Sequence, residues 1–441
     1  MKIRSLTLKH IGVFEDETIA FPEKKDKDKA EIHILTGQNG TGKTTILQAL
    51  TRGISPFLDT GSVYENIEKR FHSHYDEYSK FVVGFDNDLK IKINTFISGE
   101  RGYHKGDMIV TSTTRVDGPK DLWNGRNEYK EIENFAAFAY SGYRFVKHEA
   151  LIDIKEKLDY NPHRYALEFN KTYGENDYSL NQWLANTILK RNNAFFEENE
   201  KEVERFKSNI ENLKIIIQEI IDIPIDFKFK NETSKIVAIK QGIELDFDLL
   251  PDGLRSIISW IGDLLMRMDA LKWENDLPVF EREFILFLDE IEVHLHPSWQ
   301  RKVLPVVQKL FKNAQIFITT HSPFIVNSID GAYIYELKLD AEGKCKVELP
   351  IGISDTSKPI DEVLNEVYDI EPTQMYGEPR TIEIEDFQKD VEKAYKKEAD
   401  FDKKAFLSKA KKLAFRSTEL RNNVQFELRQ LSKSLAEDFS I

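Results

Sequence analysis

One cysteine in 441 residues is the first constraint. Cys345 has no second cysteine to pair with, so an internal disulfide and a zinc site built from several cysteines are both excluded. Long apolar runs are missing as well. No stretch approaches the ~20 consecutive apolar residues that cross a bilayer. The chain starts directly with a strand-like segment, MKIRSLTLKHIGVF, so neither a membrane span nor a secretory signal is expected. The expected location is therefore cytoplasmic. A surplus of positive charge is absent too: 62 Lys and Arg face 75 Asp and Glu, a net of −13. That balance argues against a surface given over to nucleic acid and leans towards protein partners, while a local basic groove stays open. What the chain does have is length, and at 41% enough hydrophobic residues to build two or three domains with proper cores.

The stretch around which the rest is organised is Glu31 to Leu50, EIHILTGQNGTGKTTILQAL. A short apolar strand runs into a glycine-rich turn and out into a helix. Gly37, Gly42, Lys43 and Thr44 fill the G-x-x-x-x-G-K-[ST] pattern, and Asn39, Gly40, Thr41 and Thr45 complete a nucleotide-binding run. Glycines let successive backbone N–H groups curl around phosphate oxygens, and the first helical turn adds its own N–H groups and positive dipole end. Lys43 then reaches the β- and γ-phosphates of ATP, and the Thr44 hydroxyl is placed to ligate Mg2+.

Strands are expected before this loop from Ile3 to Leu8, Thr18 to Phe21 and Ile32 to Leu35. A hairpin follows from Phe81 to Ile97, and residues 98–130 read as a loop or partly ordered excursion. Glu133 to Phe145 reads as an apolar strand ending in a turn that carries Arg144, a residue equally suited to nucleotide contact and to a surface ion pair. Asp177 to Ile223 has apolar residues at helical spacing, with room for one long helix or a short pair. Strands return between Ile225 and Leu249, and an amphipathic helix follows to Asp269. Phe284 to Glu290, FILFLDE, is a continuous apolar run ending in two acids, the pattern of a strand buried in a parallel sheet. Gln315 to Thr320 is a second such strand, with Pro297 to Phe311 as the crossover helix between them. Two short strands follow near Ala332 to Leu337 and Lys344 to Leu349, and the last ninety or so residues are charged and largely helical.

The acids are the natural partner of the phosphate loop. Asp289, at the carboxyl end of a neighbouring strand, can hold the magnesium through its waters, and Glu290 can polarise an attacking water as general base. His321 lies just past the next strand. Ligands of doubly wound sheets bind outside the carboxyl ends of the strands, so His321 is expected to contact the γ-phosphate.

Four ordered motifs then carry a resemblance: GQNGTGKTT, LPDGLRS, FILFLDEIEVHLHP and ITTHSP. Together they resemble the ATP-binding-cassette type of ATPase head, in the branch that holds the chromosome-maintenance and DNA-repair ATPases and the overcoming-lysogenization-defect nucleases. Within it, HLHP after the acids, the DGLRSIISWIGDLLMRMD helix and the compact tail resemble the ATPase subunits of Septu anti-phage systems. The fold implied is an α/β P-loop ATPase head with a mixed sheet, a short helical arm insertion and a C-terminal helical region. The expected divisions are 1–146 and 224–350 for the two halves of the head, 147–223 for the arm and 351–441 for a helical docking region. The resemblance implies ATP held between two copies, with the signature turn of one copy closing over the γ-phosphate of the other. The signature serine falls at Pro251, which removes a hydroxyl and an N–H and leaves Asp252, Gly253 and Arg255 to act in trans. Hydrolysis is therefore expected to be weak or absent despite Glu290. The expected assembly is a homo-oligomer through the heads, with a separate HNH nuclease subunit, DNA engaged through the complex, and no membrane.

Other readings remain beside it. His294, His296 and Glu292 have an alternation open to a metal site or to structural packing, and packing is preferred. Asp400 and Asp402 match the Asp-x-Asp of a stand-alone nuclease, yet EADFDKKAFLSKAKKL reads as a helix start with acids first and lysines later. A DNA-repair head and a retron-associated ATPase are further alternatives. In the tail, Phe406, Ala410, Leu413, Leu420, Val424, Leu428, Leu431 and Leu435 form an apolar stripe expected to pack on the head, another copy or a partner.

Overall fold

The computed structural model describes residues 1–54, 79–86, 90–98, 111–117, 136–142, 162–163, 166–169, 179–271, 273, 277–347, 352–399 and 401–441. They fall into two compact units, Met1–Lys358 and Pro359–Ile441. Arg144, Asp400 and most of 98–130 lie outside the described residues.

The first unit opens with β1 (Ile3–Ile11) and β2 (Phe14–Ala20), an antiparallel pair. The second strand begins earlier than expected, because Phe14 already pairs with Ile11 across the Gly12-Val13 turn. Next, β3 (Glu31–Gly37) enters the central sheet and leads into α1 (Lys43–Ile54). The hairpin of β4 (Ser79–Phe85) and β5 (Lys90–Ser98) is joined by β6 (Thr111–Asp117), giving the antiparallel order β2-β1-β4-β5-β6. β6 corrects the reading of 98–130 as a loop. Its sequence, TSTTRVD, is rich in β-branched threonine but lacks apolar alternation, so only its pairing with β5 reveals it.

The central sheet takes in β7 (Ala136–Tyr140), β11 (Phe284–Leu288), β12 (Gln315–Thr319), β13 (Tyr333–Leu339), β14 (Cys345–Val347) and β15 (Gly352–Ile353). Its order is β14-β13-β3-β12-β11-β7, parallel from β13 to β7, with β14 and β15 antiparallel to β13. Every residue of β11 and β12 is buried, as expected for strands covered on both faces. One expectation is corrected here. β12 lies between β3 and β11, so Asp289 ends a strand one removed from the phosphate-loop strand. Strand order is set by the crossover path and leaves no mark in either strand's own sequence.

The helical segment resolves into a pair, α2 (Leu180–Phe196) and α3 (Glu200–Ile221). Asn199 breaks it, its side chain accepting from Glu202 N–H as an N-cap. On α3, Ile210, Leu213, Ile216, Ile217, Ile220 and Ile221 are buried, and the helix packs on α2, on α4 (Asp252–Ala270) and on α5 (Pro297–Leu310). A small antiparallel sheet of β8 (Ile225–Lys230), β9 (Lys235–Lys240) and β10 (Ile243–Leu245) separates α3 from α4 in sequence. The short α6 (Pro323–Val326) follows β12.

The second unit holds α7 (Ile360–Tyr368), α8 (Glu378–Lys396), α9 (Lys403–Ala414) and α10 (Thr418–Leu435). The apolar stripe behaves otherwise than expected. Phe406, Ala410, Leu413, Leu420, Val424, Leu428 and Leu431 share a core with Ile384, Phe387, Val391 and Ala394 of α8, and Leu435 packs at its edge. The stripe's partner is thus a third helix of its own unit, whose moderate apolar content is diluted by charge in the sequence. Asp402 caps α9, accepting from Lys404 N–H at 2.9 Å and Ala405 N–H at 3.1 Å. Among the described residues no helix is long and apolar enough to cross a membrane.

Candidate functional site

The phosphate loop is the tight connection between β3 and α1. Gly37 and Gly42 sit at φ 141° and 95°. A Cβ on Gly37 would collide with the Leu337 carbonyl of β13, and one on Gly42 would lie 2.6 Å from the Phe14 ring, so neither position admits a side chain. Asn39 and Gly40 are exposed at the loop tip, and Thr41 is buried, its hydroxyl donating to Gln38 O at 2.9 Å. Thr45 is buried in the first turn of α1. The Lys43 ammonium donates to the carbonyls of Gly37 and Gln38, each at 2.8 Å, and so lies across the mouth of the loop. Burial pushes its pKa down, while Asp289, Glu290 and Glu292 pull it up.

Thr44 and Asp289 meet across the width of β12. The Thr44 hydroxyl lies 3.0 Å from Asp289 Oδ2 and 3.2 Å from Oδ1. Thr319, the last residue of β12, completes the bridge: its hydroxyl donates to Asp289 Oδ1 at 2.6 Å and accepts from Glu290 N–H at 2.8 Å. Asp289 N–H in turn donates to Tyr140 O at the end of β7. Three strand ends thereby fix the two acids. Glu290 has φ 48°, a left-handed conformation that a residue with a Cβ adopts at some energetic expense. Gly142 lies so close that a Cβ there would sit 3.0 Å from Glu290 Oε2.

His321 follows β12 and faces the same site. Its Nε2 is buried and has no hydrogen-bond partner among the described residues. Burial, then the charge of Lys43, lowers its pKa, with Asp289 opposing, so the imidazole is mainly neutral at pH 7. Its backbone N–H donates to Glu292 Oε1 at 2.5 Å. The signature residues stand at the start of α4. Pro251 is the N-cap residue and contributes no side-chain bond, Arg255 pairs with Asp252, and Gly253 packs on the His294 carbonyl. His296 caps α5, its Nδ1 accepting from Ser298 N–H, which gives the HLHP segment a structural role.

Lys43, Thr44, Asp289, Glu290 and His321 are thus gathered at the carboxyl ends of β3, β12 and β11. Thr319 and Gly142 were not singled out in the sequence, and Glu292 was weighed there only beside His294 and His296, as a metal ligand or a packing residue. The threonine pair closing QIFITT was the available signal for the first. The oxygen donors of Thr44 and Asp289 suit a hard divalent cation.

A buried parallel sheet whose strand ends bring a phosphate loop, its lysine and threonine, and an Asp-Glu pair to one place defines a P-loop ATPase fold. Residues 32–327 match the family described as "AAA domain, putative AbiEii toxin, Type IV TA system", and the chain belongs to that family. Residues 1–55 also match a family described as "AAA domain". The chain is 25% identical over 374 residues to "Septu protein PtuA" of Bacillus thuringiensis, covering 82% of this chain and 84% of the relative. It is 24% identical over 396 residues to "Retron Ec83 probable ATPase" of Escherichia coli, covering 77% and 72%. Similar solved structures include the Smc head bound to the C-winged helix domain of ScpA, with TM-score 0.47, 13% identity, and coverage of 79% of this chain and 97% of that one. The SMC head domain from Thermotoga maritima has TM-score 0.40, 12% identity and coverage of 79% and 99%.

Proposed function

We propose that this chain is the ATP-binding subunit of an anti-phage defence complex, whose heads pair around nucleotide and scaffold or gate a separate HNH nuclease. The nucleotide part rests on one observation above others, the convergence of Lys43, Thr44 and Asp289 at the carboxyl ends of β3 and β11. In that reading the loop N–H groups and Lys43 hold the phosphates of ATP, and His321 Nε2 meets the γ-phosphate. Thr44 and Asp289 would hold Mg2+, which supplies neutralisation of phosphate charge. Glu290 accepts a proton from the attacking water. Asp252, Gly253 and Arg255 act on the nucleotide of a second copy, and the missing N–H at Pro251 makes turnover slow. Similarity to the Septu and retron proteins supports the defence role.

The retron relatives favour a second reading of the same kind, in which a nucleic-acid component joins the assembly. Two experiments test these readings. Co-expression with the adjacent reading frame and purification on one tag should co-elute a small HNH protein; co-elution of a nucleic acid without it favours the retron arrangement. Light scattering of a Glu290→Gln variant should show a mass increase on adding MgATP that ADP does not give, and an unchanged mass would remove the head-pairing proposal.

A further inference from the structure

Glu292 has no part in the scheme above, yet it joins the two halves of the site. It lies in the turn after the acids, which is closed by Val293 N–H to Glu290 O at 3.1 Å and by Leu295 N–H to Glu292 O at 2.9 Å. The turn is conformationally costly at both ends, with Glu290 at φ 48° and His294 at φ 65°. From it the Glu292 side chain reaches the loop after β12 and accepts the His321 N–H at 2.5 Å. The other oxygen, Oε2, is buried and without a hydrogen-bond partner among the described residues, as is His321 Nε2. Two orphaned polar atoms therefore flank one short bond at the mouth of the site. Desolvation pushes the Glu292 pKa up, hydrogen bonds from the His321 and Glu292 N–H groups and from the Thr320 side chain oppose it, and the charge of Glu290 adds a smaller upward push.

We infer that Glu292 is a positioning residue: by holding the backbone of His321 it aims the imidazole at the γ-phosphate and ties that contact to the turn carrying Glu290. The bond needs only an acceptor oxygen, so the amide of glutamine preserves it and a methyl group does not. This rests on the reading of the site as one for MgATP, and the test separates the two. Isothermal titration of the full chain with Mg2+ and either ADP or a non-hydrolysable ATP analogue gives the ratio of the two affinities. His321→Ala and Glu292→Ala should each lower that ratio by about tenfold, the scale of one hydrogen bond to a charged group, with ADP affinity unchanged. Glu292→Gln should keep the wild-type ratio. A Glu292→Ala ratio equal to wild type, or a Glu292→Gln loss as large as that of Glu292→Ala, overturns the inference. Should the alanine variant not fold, Glu292→Asp, one methylene short of the His321 N–H, takes its place against Glu292→Gln. If wild type binds neither nucleotide, the reading of the site fails first and the inference falls with it.

Discussion

The two ends of the same parallel strands treat polar groups in opposite ways. At the amino ends of β3 and β12, Glu31 Oε1 accepts from Arg4 at 2.7 Å and Gln315 Nε2 at 2.5 Å, and lies 3.1 Å from His33 Nε2. Gln315 also exchanges bonds with the backbone of Ile3, and His33 Nδ1 lies 3.2 Å from the Tyr335 hydroxyl. Every polar side chain in that cluster has a partner, and the cluster stitches β1 to the central sheet. At the carboxyl ends, His321 Nε2 and Glu292 Oε2 lack partners among the described residues, and Glu290 and His294 hold left-handed backbone. One end is built for stability. The other keeps strain and unmet hydrogen-bonding capacity, as expected where a ligand completes the arrangement.

The contrast is sharpened most by Glu31→Ala. It leaves Arg4, His33 and Gln315 without their common acceptor, and a loss of about 3–5 kcal/mol is expected by denaturant titration, with nucleotide affinity unchanged in the folded fraction. A large affinity loss at unchanged stability would reverse the roles assigned to the two ends.

Acid should act on the same end. Burial opposes charge on Glu31, but hydrogen bonds from His33 and Arg4 prevail and hold its pKa at about 2 against an ordinary 4.5. A depressed carboxyl pKa contributes stability above pH 4.5 that is lost as pH falls through about 2. The displacement corresponds to about 3 kcal/mol. Burial lowers the His33 pKa below 6.5, so protonating it also disfavours the folded state. Both effects run the same way. Melting temperature should therefore fall between pH 6.5 and 2, and Glu31→Gln should flatten the lower part of that fall.

The smallest expected change has the opposite sign. Glu290→Gly removes the left-handed strain, and stability should hold or rise by up to ~1 kcal/mol while ATP turnover is lost. A clear destabilisation in thermal melts would show that Glu290 is part of the scaffold and that the strain argument is wrong.

Much of the catalytic end was legible in the sequence because its parts are contiguous. A phosphate loop, FILFLDE and ITTHSP each lie within ten residues, and each forms the strand, turn or helix start its own pattern predicts, although FILFLDE lies one strand further from the loop than expected. Strand order was not legible. That β12 separates β3 from β11, and that Thr319 bridges both acids, are facts of assembly between distant segments. The Glu31 cluster went unseen for the same reason, since its members are drawn from positions 4, 31, 33 and 315. β6 escaped because threonine-rich strands show no apolar alternation. The tail's apolar stripe was correctly periodic, but periodicity names a buried face without naming its partner, which proved to be α8.

Every role proposed for the strand-end residues requires nucleotide binding through the phosphate loop. Titration of the purified chain with MgATP, beside Lys43→Ala, measures this directly. Saturable binding by wild type that falls at least a hundredfold in the variant, the order expected when a buried charged hydrogen-bond partner of phosphate is removed, is the predicted result. Equal affinity in the two proteins would contradict it.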